Sequence, residues 1–199
     1  MAPESERVRL DLDDTLWEKV YTVAPLVIVG TRESEGGYDL APKHLVSPMW
    51  GPWFVFVCAL NHATYRNAVR ERAFTVSWVR PSQVIVASLA ATHRFDDGTK
   101  PALAALHTFD ASVIDGVFVR DGCFFLECEL DRVVEGFGIN SLVIGRVVAA
   151  HADRKALRAL DPDDAELEHA DPLLAYVSPG RFARIERSLP FPFPEGFKR

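Results

Sequence analysis

Short segments in which apolar and polar residues alternate recur along this chain, and they predict a protein built mainly of β-strands. The clearest is Gly122–Arg132, where apolar residues at every second position are interleaved with Glu127 and Glu129. The segment Ala73–Val79 alternates in the same way. Because residues two apart point to the same face of a strand, each segment has one apolar face and one more polar face.

Continuous apolar runs predict further strands. These runs and two shorter strand-like stretches are Pro25–Thr31, Trp53–Cys58, Ser141–His151, Leu173–Val177 and Phe182–Arg187. Trp53–Cys58 and Ser141–His151 are apolar on both sides, so we expect both faces of these two strands to be covered. Gly145 interrupts the second of them and indicates a bend or a bulge.

Short helices are predicted between the strands. Asn61 is a residue type that caps helices, so we expect a helix over 62–72 with Tyr65, Ala68 and Val69 on its inner face. Further short helices are predicted at Asp14–Val20, Pro81–Ala91, Thr99–Leu106 and Arg154–Leu160. Roughly five to seven strands with irregularly inserted helices favour a mainly antiparallel, Greek-key-like barrel over a parallel sheet in which strands and helices alternate.

Composition limits the class of protein. The chain has 199 residues, of which 48% are hydrophobic and 25% charged, and this suits one globular domain. A net charge of −6 argues against a nucleic-acid partner. No apolar run approaches the ~20 residues of a membrane helix, and the charged N-terminus lacks a signal peptide, so we expect a soluble, cytoplasmic protein. We expect an N-terminal extension over 1–22, a barrel domain over 23–188 and a Pro/Phe-rich tail over 189–199, which should be extended.

The three cysteines, Cys58, Cys123 and Cys128, are an odd number and lack the spacing of a metal site. Cys58 and Cys128 lie within apolar strand-like runs. We therefore expect free thiols, buried at these two positions, and no bound metal.

An acidic motif near the N-terminus opens a different possibility. The run from Asp11 to Leu16, DLDDTL, matches the signature of haloacid-dehalogenase-type phosphatases, in which Asp11 would be the nucleophile and Asp13 the general acid and base. That motif has to follow a buried parallel strand, which reads as an apolar run. The preceding residues, 6–10, are too polar for such a strand, and the alternative is an acidic segment that begins a short helix.

Two other segments carry a family resemblance. The first is Tyr38–Pro48, with the sequence YDLAPKHLVSP, and the second is His62–Ser77, which contains the pattern T-x-x-N at Thr64 and Asn67. They resemble the motifs N-x-A-P-x-S-x-F and K/R-D-T-x-x-N-I of the flavin reductase family, the FMN-binding split barrels. The stretches Leu126–Arg132, Ile144–His151 and Asp171–Tyr176 resemble the end of that family, so the resemblance runs from Val23 to Ile185.

The resemblance implies a flavin site, for FMN rather than FAD. Its phosphate would lie at the start of the predicted helix, where free N–H groups and the positive end of the dipole favour an anion. Its ring would lie against the loop Ala41–His44, where Lys43 would favour the reduced, anionic flavin. The residues expected to bind the cofactor are Ala41, Pro42, Lys43, His44, Asn61, His62, Thr64, Asn67 and Ser77.

The chain departs from the family pattern at several of these positions. Asp39 stands where the family has Asn, His44 stands where Ser is common, and Ser77 replaces an Asn. These departures predict a flavin site whose contacts with the flavin differ from those that are usual in the family. The resemblance also places His151, at the end of a long strand, near the nicotinamide or the flavin.

The resemblance implies an oxidoreductase in which NAD(P)H reduces flavin by hydride transfer to N5, and such chemistry needs orientation rather than an acid–base pair. It further implies a homodimer with FMN at or near the interface, and it leaves room for a monooxygenase partner. Two alternatives remain at this point. One is a non-catalytic protein that stores FMN or senses its redox state, and the other is the phosphatase based on Asp11 and Asp13.

Overall fold

The computed structural model describes residues 7–13, 15–157 and 166–192, together with residues 194 and 196. Twelve strands lie in this described part of the chain. They are β1 (Thr22–Pro25), β2 (Val27–Arg32), β3 (Tyr38–Lys43), β4 (Val46–Met49), β5 (Trp53–Ala59), β6 (Ala73–Trp78), β7 (Thr108–Asp110), β8 (Val117–Val119), β9 (Phe124–Phe137), β10 (Asn140–Ala152), β11 (Leu167–Ser178) and β12 (Arg181–Ser188). Two α-helices lie between them, α1 (Ala63–Glu71) and α2 (Val84–Ala90).

Seven strands form one antiparallel sheet in the order β3-β2-β6-β9-β10-β5-β4. Its two edge strands, β3 and β4, are consecutive in the chain and are separated only by His44 and Leu45. Because so short a link keeps the two edges side by side, the sheet curls into a barrel. The strands β1, β11 and β12 form a second sheet, and β7 pairs with β8. The mainly antiparallel barrel predicted from the sequence is confirmed.

Alternation along the strands fills the barrel interior. Phe54 and Phe56 of β5 are fully buried, and Phe74 and Val76 of β6 join them in one apolar cluster. The bulge predicted at Gly145 is present, since the β9–β10 register shifts between Ile144 and Gly145. A side chain at this glycine would meet the ring of Phe74, so the interior leaves no room for one.

The outer face of the sheet is covered over only part of its width. One part packs under α2 and β8, where Ile28, Leu40 and Val117 form a second buried cluster. The other part, on β4, β5 and β10, is only partly covered. The odd-numbered residues of β5, from Trp53 to Val57, are only partly buried. The expectation that both faces of this strand are covered is therefore wrong within one copy of the chain.

The count of strands from the sequence was too low. Strands such as β3 and β4 escape a search for apolar runs because they are short and contain Pro42 and Pro48. Both lie at the edges of the seven-stranded sheet, where a residue without an N–H group is tolerated. The segment Ala41–His44, expected to be a loop, is therefore mostly an edge strand.

The helical predictions are confirmed in part. The helices expected over 62–72 and Pro81–Ala91 are present as α1 and as a 3-10 turn followed by α2. Three other predicted helices are single 3-10 turns, and residues 14 and 158–160 of those predictions lie outside the described residues. The turns are Leu16–Glu18, Pro101–Ala105 and Arg154–Ala156. Cys58 and Cys128 are buried free thiols, as predicted.

Candidate functional site

Helix α1 places three polar or small side chains against the barrel. Its N-cap is His62 in an extended conformation, without a side-chain capping bond, so the predicted cap at Asn61 is wrong. The buried residues of α1 are Thr64, Asn67 and Ala68. Val69, expected on the inner face, is instead exposed. The polar side chains of the T-x-x-N pattern, Thr64 and Asn67, therefore point into the barrel. Because buried polar groups are hydrogen-bonded, they need polar partners there.

Those partners come from β2 and β3. The hydroxyl of Thr64 donates a hydrogen bond to Oδ2 of Asp39 over 3.4 Å, and Nδ2 of Asn67 donates one to Oγ1 of Thr31 over 3.3 Å. All four side chains are buried. Thr31 and Asp39 are directly paired across β2 and β3. The start of α1 is thus tied to one cross-strand pair of the barrel.

Two cations from the segment after α2 converge on the same carboxylate. Oδ1 of Asp39 lies 3.0 Å from Nη2 of Arg94 and 3.3 Å from Nζ of Lys100. Arg94 also pairs with Glu33. Lys100 donates to the carbonyl oxygens of Leu40 and Ala90 as well. Charged side chains from two distant parts of the sequence, residues 33–39 and 94–100, therefore form one largely buried charge cluster beside α1.

Sequence reasoning did not identify Arg94 or Lys100 as site residues. They flank the Asp97–Gly98 turn, which reads as an exposed loop. A lysine and an arginine in a polar segment are normally solvated, so the pattern contains no signal of burial. The one available hint was Asp39 in an otherwise apolar stretch, because a buried carboxylate needs a cationic partner.

The segment Ala41–His44 lies at the seam where the barrel closes. The ring of His44 packs on Tyr176 of β11 with centroids 4.5 Å apart. Burial, followed by the charge of Lys43, lowers the pKa of His44. Burial raises the pKa of the Cys58 thiol, while the adjacent Lys43 opposes that rise. An ammonium, a neutral imidazole and a phenol ring therefore lie near one another at the seam.

His62 lies between the start of α1 and the end of β3, since charged residues of both act on it. Partial burial, and then the charges of Lys43 and Arg66, lower its pKa. His93 and Asp39 also act on it. The structure therefore brings together most of the predicted flavin-binding residues, which lie at the start of α1 and along the adjoining end of β3.

Ser77 does not belong to this group. Its hydroxyl accepts a hydrogen bond from the backbone N–H of Val119 over 3.1 Å, and Thr75 donates to the carbonyl of Val117 over 2.6 Å. Both side chains are buried under β8. The polar face of β6, which could have bordered a ligand or solvent, instead anchors the hairpin of β7 and β8. We therefore omit Ser77 from the proposed flavin contacts.

His151 lies in another polar cluster, around Glu127. The carboxylate of Glu127 is fully buried and accepts hydrogen bonds from the backbone N–H groups of Ser112, Val113 and Ile114 and from the Ser112 hydroxyl. Burial by itself would raise the pKa of Glu127, but these donors outweigh it and lower the pKa to about 2. Nε2 of His151 lies 3.1 Å from the same carboxylate.

The two clusters lie on opposite faces of the seven-stranded sheet. Directly paired residues share a face. His151 is paired with Phe125, and Phe125 with Ser77, so all three lie on the outer face. Asp39 is paired with Thr31, whose hydroxyl contacts α1 on the inner face. One copy of the chain therefore does not bring His151 to the cluster at α1.

The acidic motif near the N-terminus has no structural setting for phosphatase chemistry. The described residues before it, 7–10, form no strand, and Asp11 is exposed. Asp13 accepts hydrogen bonds from Thr15 and Lys19 at the start of a 3-10 turn. The phosphatase reading required a buried parallel strand before the motif, and it is wrong because that strand is missing from the described residues.

Within the described residues, no helix is long and apolar enough to cross a membrane. Among the same residues, no group of His, Cys, Asp and Glu side chains has the arrangement of a metal site.

Several solved structures share the fold of this chain. A 2-nitrobenzoate 2-nitroreductase from Pseudomonas fluorescens is 18% identical, with a TM-score of 0.71 over 88% of this chain and 87% of that chain. A flavoredoxin from Methanosarcina acetivorans is 16% identical, with a TM-score of 0.71 over 91% and 92%. A homologue of nitrilotriacetate monooxygenase component B from Mycobacterium thermoresistibile is 14% identical, with a TM-score of 0.70 over 93% and 92%.

No curated protein matches this chain by sequence. The model of one family does match, over residues 21–182, and its description is flavin reductase like domain. These residues include the whole seven-stranded barrel, the start of α1 and the seam at Ala41–His44. The match covers well over half of the sequence. This chain therefore belongs to the flavin reductase like domain family, and its barrel is the split barrel of that family.

Proposed function

We propose that this protein is an FMN-binding oxidoreductase that uses NAD(P)H to reduce flavin. The observation that supports it best is the meeting of α1 and the end of β3, within a family defined by flavin reduction. That region presents a helix N-terminus, a cluster in which Arg94 and Lys100 pair with Asp39, and an aromatic seam next to one another. FMN has a phosphate at one end and a flat aromatic ring at the other, and these features are complementary to it.

The phosphate end of the site would be the start of α1. The first N–H groups of a helix have no partner within the helix, and its dipole favours an anion there. Asn61, His62 and Thr64 lie at this position, and Asn67 lies one turn further on. The buried hydroxyl of Thr64 already has a partner in Asp39, so its contribution would be to hold that residue and the helix start in place.

The ring end of the site would be the seam at Ala41–His44. The partly exposed backbone of β3 offers N–H and C=O groups at an edge of the sheet, and such groups suit the hydrogen-bonding edge of an isoalloxazine. His44 on Tyr176 provides an aromatic surface, and Lys43 provides a positive charge. When bound, the flavin would accept a hydride from the nicotinamide at its N5 position.

We also propose that the active form is a homodimer. The partly covered part of the outer face carries exposed apolar residues, and a contiguous apolar surface of this kind is typical of an interface. These include Leu45, Met49, Phe137 and Ile139. His151 lies on this same outer face, so a second copy could bring it towards the flavin site of its partner. This arrangement would reconcile the proposed nicotinamide role of His151 with its distance from α1 in one copy.

The test is a visible spectrum followed by an activity measurement. The protein is purified and titrated with FMN or FAD while its visible spectrum and the flavin fluorescence are recorded, and NADH or NADPH oxidation under air is then followed with and without added FMN. Saturable flavin binding together with NAD(P)H consumption supports the proposal. Protein that takes up neither flavin contradicts it.

The same measurement separates the second reading, a protein that stores FMN or senses its redox state. Such a protein would bind flavin but leave NADH and NADPH unchanged.

We also propose a monooxygenase as a partner, on the basis of the fold shared with a component B of a monooxygenase. Size-exclusion chromatography with light scattering tests the homodimer.

A further inference from the structure

Asp39 is the most deeply buried member of the charge cluster beside α1. Only 4% of its side chain is exposed, against 25% for Arg94 and 26% for Glu33. One carboxylate oxygen faces the Thr64 hydroxyl of α1, and the other faces Arg94 and Lys100. The barrel therefore places a carboxylate where the proposed flavin phosphate would approach.

The cluster is electrically balanced. Arg94 and Lys100 carry two positive charges, and Glu33 and Asp39 carry two negative charges, so the formal sum is zero. The cations are also occupied. The Lys100 ammonium has three acceptors, which matches its three donors, and Arg94 bonds to Gly98 as well as to the two carboxylates. A phosphate at α1 would therefore find cations that are already neutralised.

We propose that Asp39 is an internal counter-anion that weakens the binding of the flavin phosphate, so that flavin exchanges between turnovers instead of staying bound. This inference rests on the proposed flavin site. It assigns the role to charge repulsion, since a carboxylate and a phosphate dianion within one cluster repel each other. It also implies that Asp39 lowers the preference for FMN over riboflavin, which has the same ring and no phosphate.

The test is the substitution Asp39→Asn, with FMN and riboflavin titrated in parallel by fluorescence quenching. Asparagine keeps an oxygen that accepts from Arg94 and Lys100, while its amide can face the Thr64 hydroxyl. Removing the negative charge should tighten FMN binding by about tenfold, given Coulomb repulsion over several ångströms with partial screening. Riboflavin affinity should stay within about twofold of the wild type, because riboflavin lacks the phosphate.

Two further variants control for charge and for structure. Glu33→Gln removes the same charge from the same arginine at a more exposed position, so FMN affinity should rise by less than about threefold. The double variant Asp39→Asn with Lys100→Met restores the formal balance of the cluster and should return FMN affinity towards the wild-type value. If Asp39→Asn alone fails to fold, Glu33→Gln still tests the role of charge, since a rise in FMN affinity without a rise in riboflavin affinity supports it and no rise overturns it.

Each outcome decides the matter. FMN affinity that rises in Asp39→Asn while riboflavin affinity holds supports the proposal. Any other result, including affinities for both flavins that stay unchanged or that change together, overturns it and leaves Asp39 as a support for α1 only. If neither flavin binds to the wild type, the proposed function itself fails, and this inference fails with it.

Discussion

Nε2 of His151 and Oε1 of Glu127 lie 3.1 Å apart, between a partly exposed imidazole and a fully buried carboxylate. The donors of residues 112–114 hold the carboxylate ionised, and an ionised carboxylate can only accept hydrogen bonds, so Nε2 of His151 is the donor. The Ser112 hydroxyl donates to the same oxygen. This geometry differs from that of a hydrolytic triad, in which the carboxylate binds the nitrogen remote from the serine. The cluster orients His151 and anchors a loop.

The pH dependence of stability should reveal Glu127. Its folded pKa of about 2 lies below its ordinary value of 4.5, so its stabilising contribution is complete above about pH 4.5 and is lost as the pH falls towards 2. Glu127→Gln should lower the free energy of unfolding by about 3 kcal/mol at pH 7. Urea unfolding from pH 7 to pH 3 checks this, and the gap between wild type and variant should narrow below pH 4.5. A gap that stays constant would contradict the assignment.

His151→Gln tests the proposed nicotinamide role. Because the role proposed for His151 is towards the nicotinamide and not towards the flavin phosphate at α1, the substitution should leave the Kd for FMN unchanged. Loss of one hydrogen bond should raise KM for NAD(P)H by about three- to tenfold. Steady-state kinetics with saturating FMN provide the measurement. An equal loss of flavin affinity would instead indicate a general structural effect.

Arg80 should be a major contributor to stability, because it joins the two sheets. Its guanidinium contacts Asp171 of β11 at 2.6 Å, Asp153 after β10 at 2.8 Å, and the carbonyls of Asp121 and Gly122. Arg80→Met leaves these partly buried groups without a cation and should cost about 2 kcal/mol in unfolding free energy.

The matched control for Arg80 is Arg146→Met. Arg146 pairs with Glu129 at 2.6 Å, but both side chains are about half exposed. Exposed ion pairs contribute little, so this variant should cost less than about 1 kcal/mol. Denaturant titrations of both variants compare them directly. Equal losses would show that burial does not distinguish the two arginines.

Gly145→Ala should be strongly destabilising although it adds one methyl group. The new Cβ would lie 2.5 Å from Cζ of Phe74 and 3.0 Å from Cβ of Cys128. Such overpacking costs about 2 kcal/mol. Adding Phe74→Leu removes the ring atoms that clash, so the double variant should lose less than the sum of the two single changes. If the losses of the two single variants simply added in the double variant, the clash with Phe74 would not be the cause of the destabilisation.

Thr64→Ala and Asn67→Ala should affect both binding and stability. Each removes a buried hydrogen bond from the start of α1, at a cost of about 1 kcal/mol, which the barrel should tolerate. FMN affinity should fall in both variants, because the helix start loses its support. Fluorescence titration together with thermal unfolding separates the two effects. Unchanged FMN affinity in both variants would contradict the proposed position of the flavin phosphate at the start of α1.

The sequence by itself determined the class of fold and the place of the long strands. Alternation at β9 and the apolar runs of β5 and β10 are local patterns, and they identify a strand without knowledge of its partners. The motif order around Ala41–His44 and Thr64–Asn67 also indicated the family. Short edge strands such as β3 could not be recognised in this way. They are strands because they pair with a neighbouring strand, and their sequences are not markedly apolar.

The tertiary structure alone decided which polar residues meet. Asp39 is distant in sequence from Arg94 and Lys100, and each is a residue type that is usually solvated, yet the fold brings the three side chains together. It also placed Ser77, a predicted flavin-binding residue, under β8, and His151, predicted near the nicotinamide or the flavin, on the face opposite α1. The physical reason is that a strand's register decides the face on which a side chain lies. Register depends on the partner strands, and a single strand's sequence does not contain it.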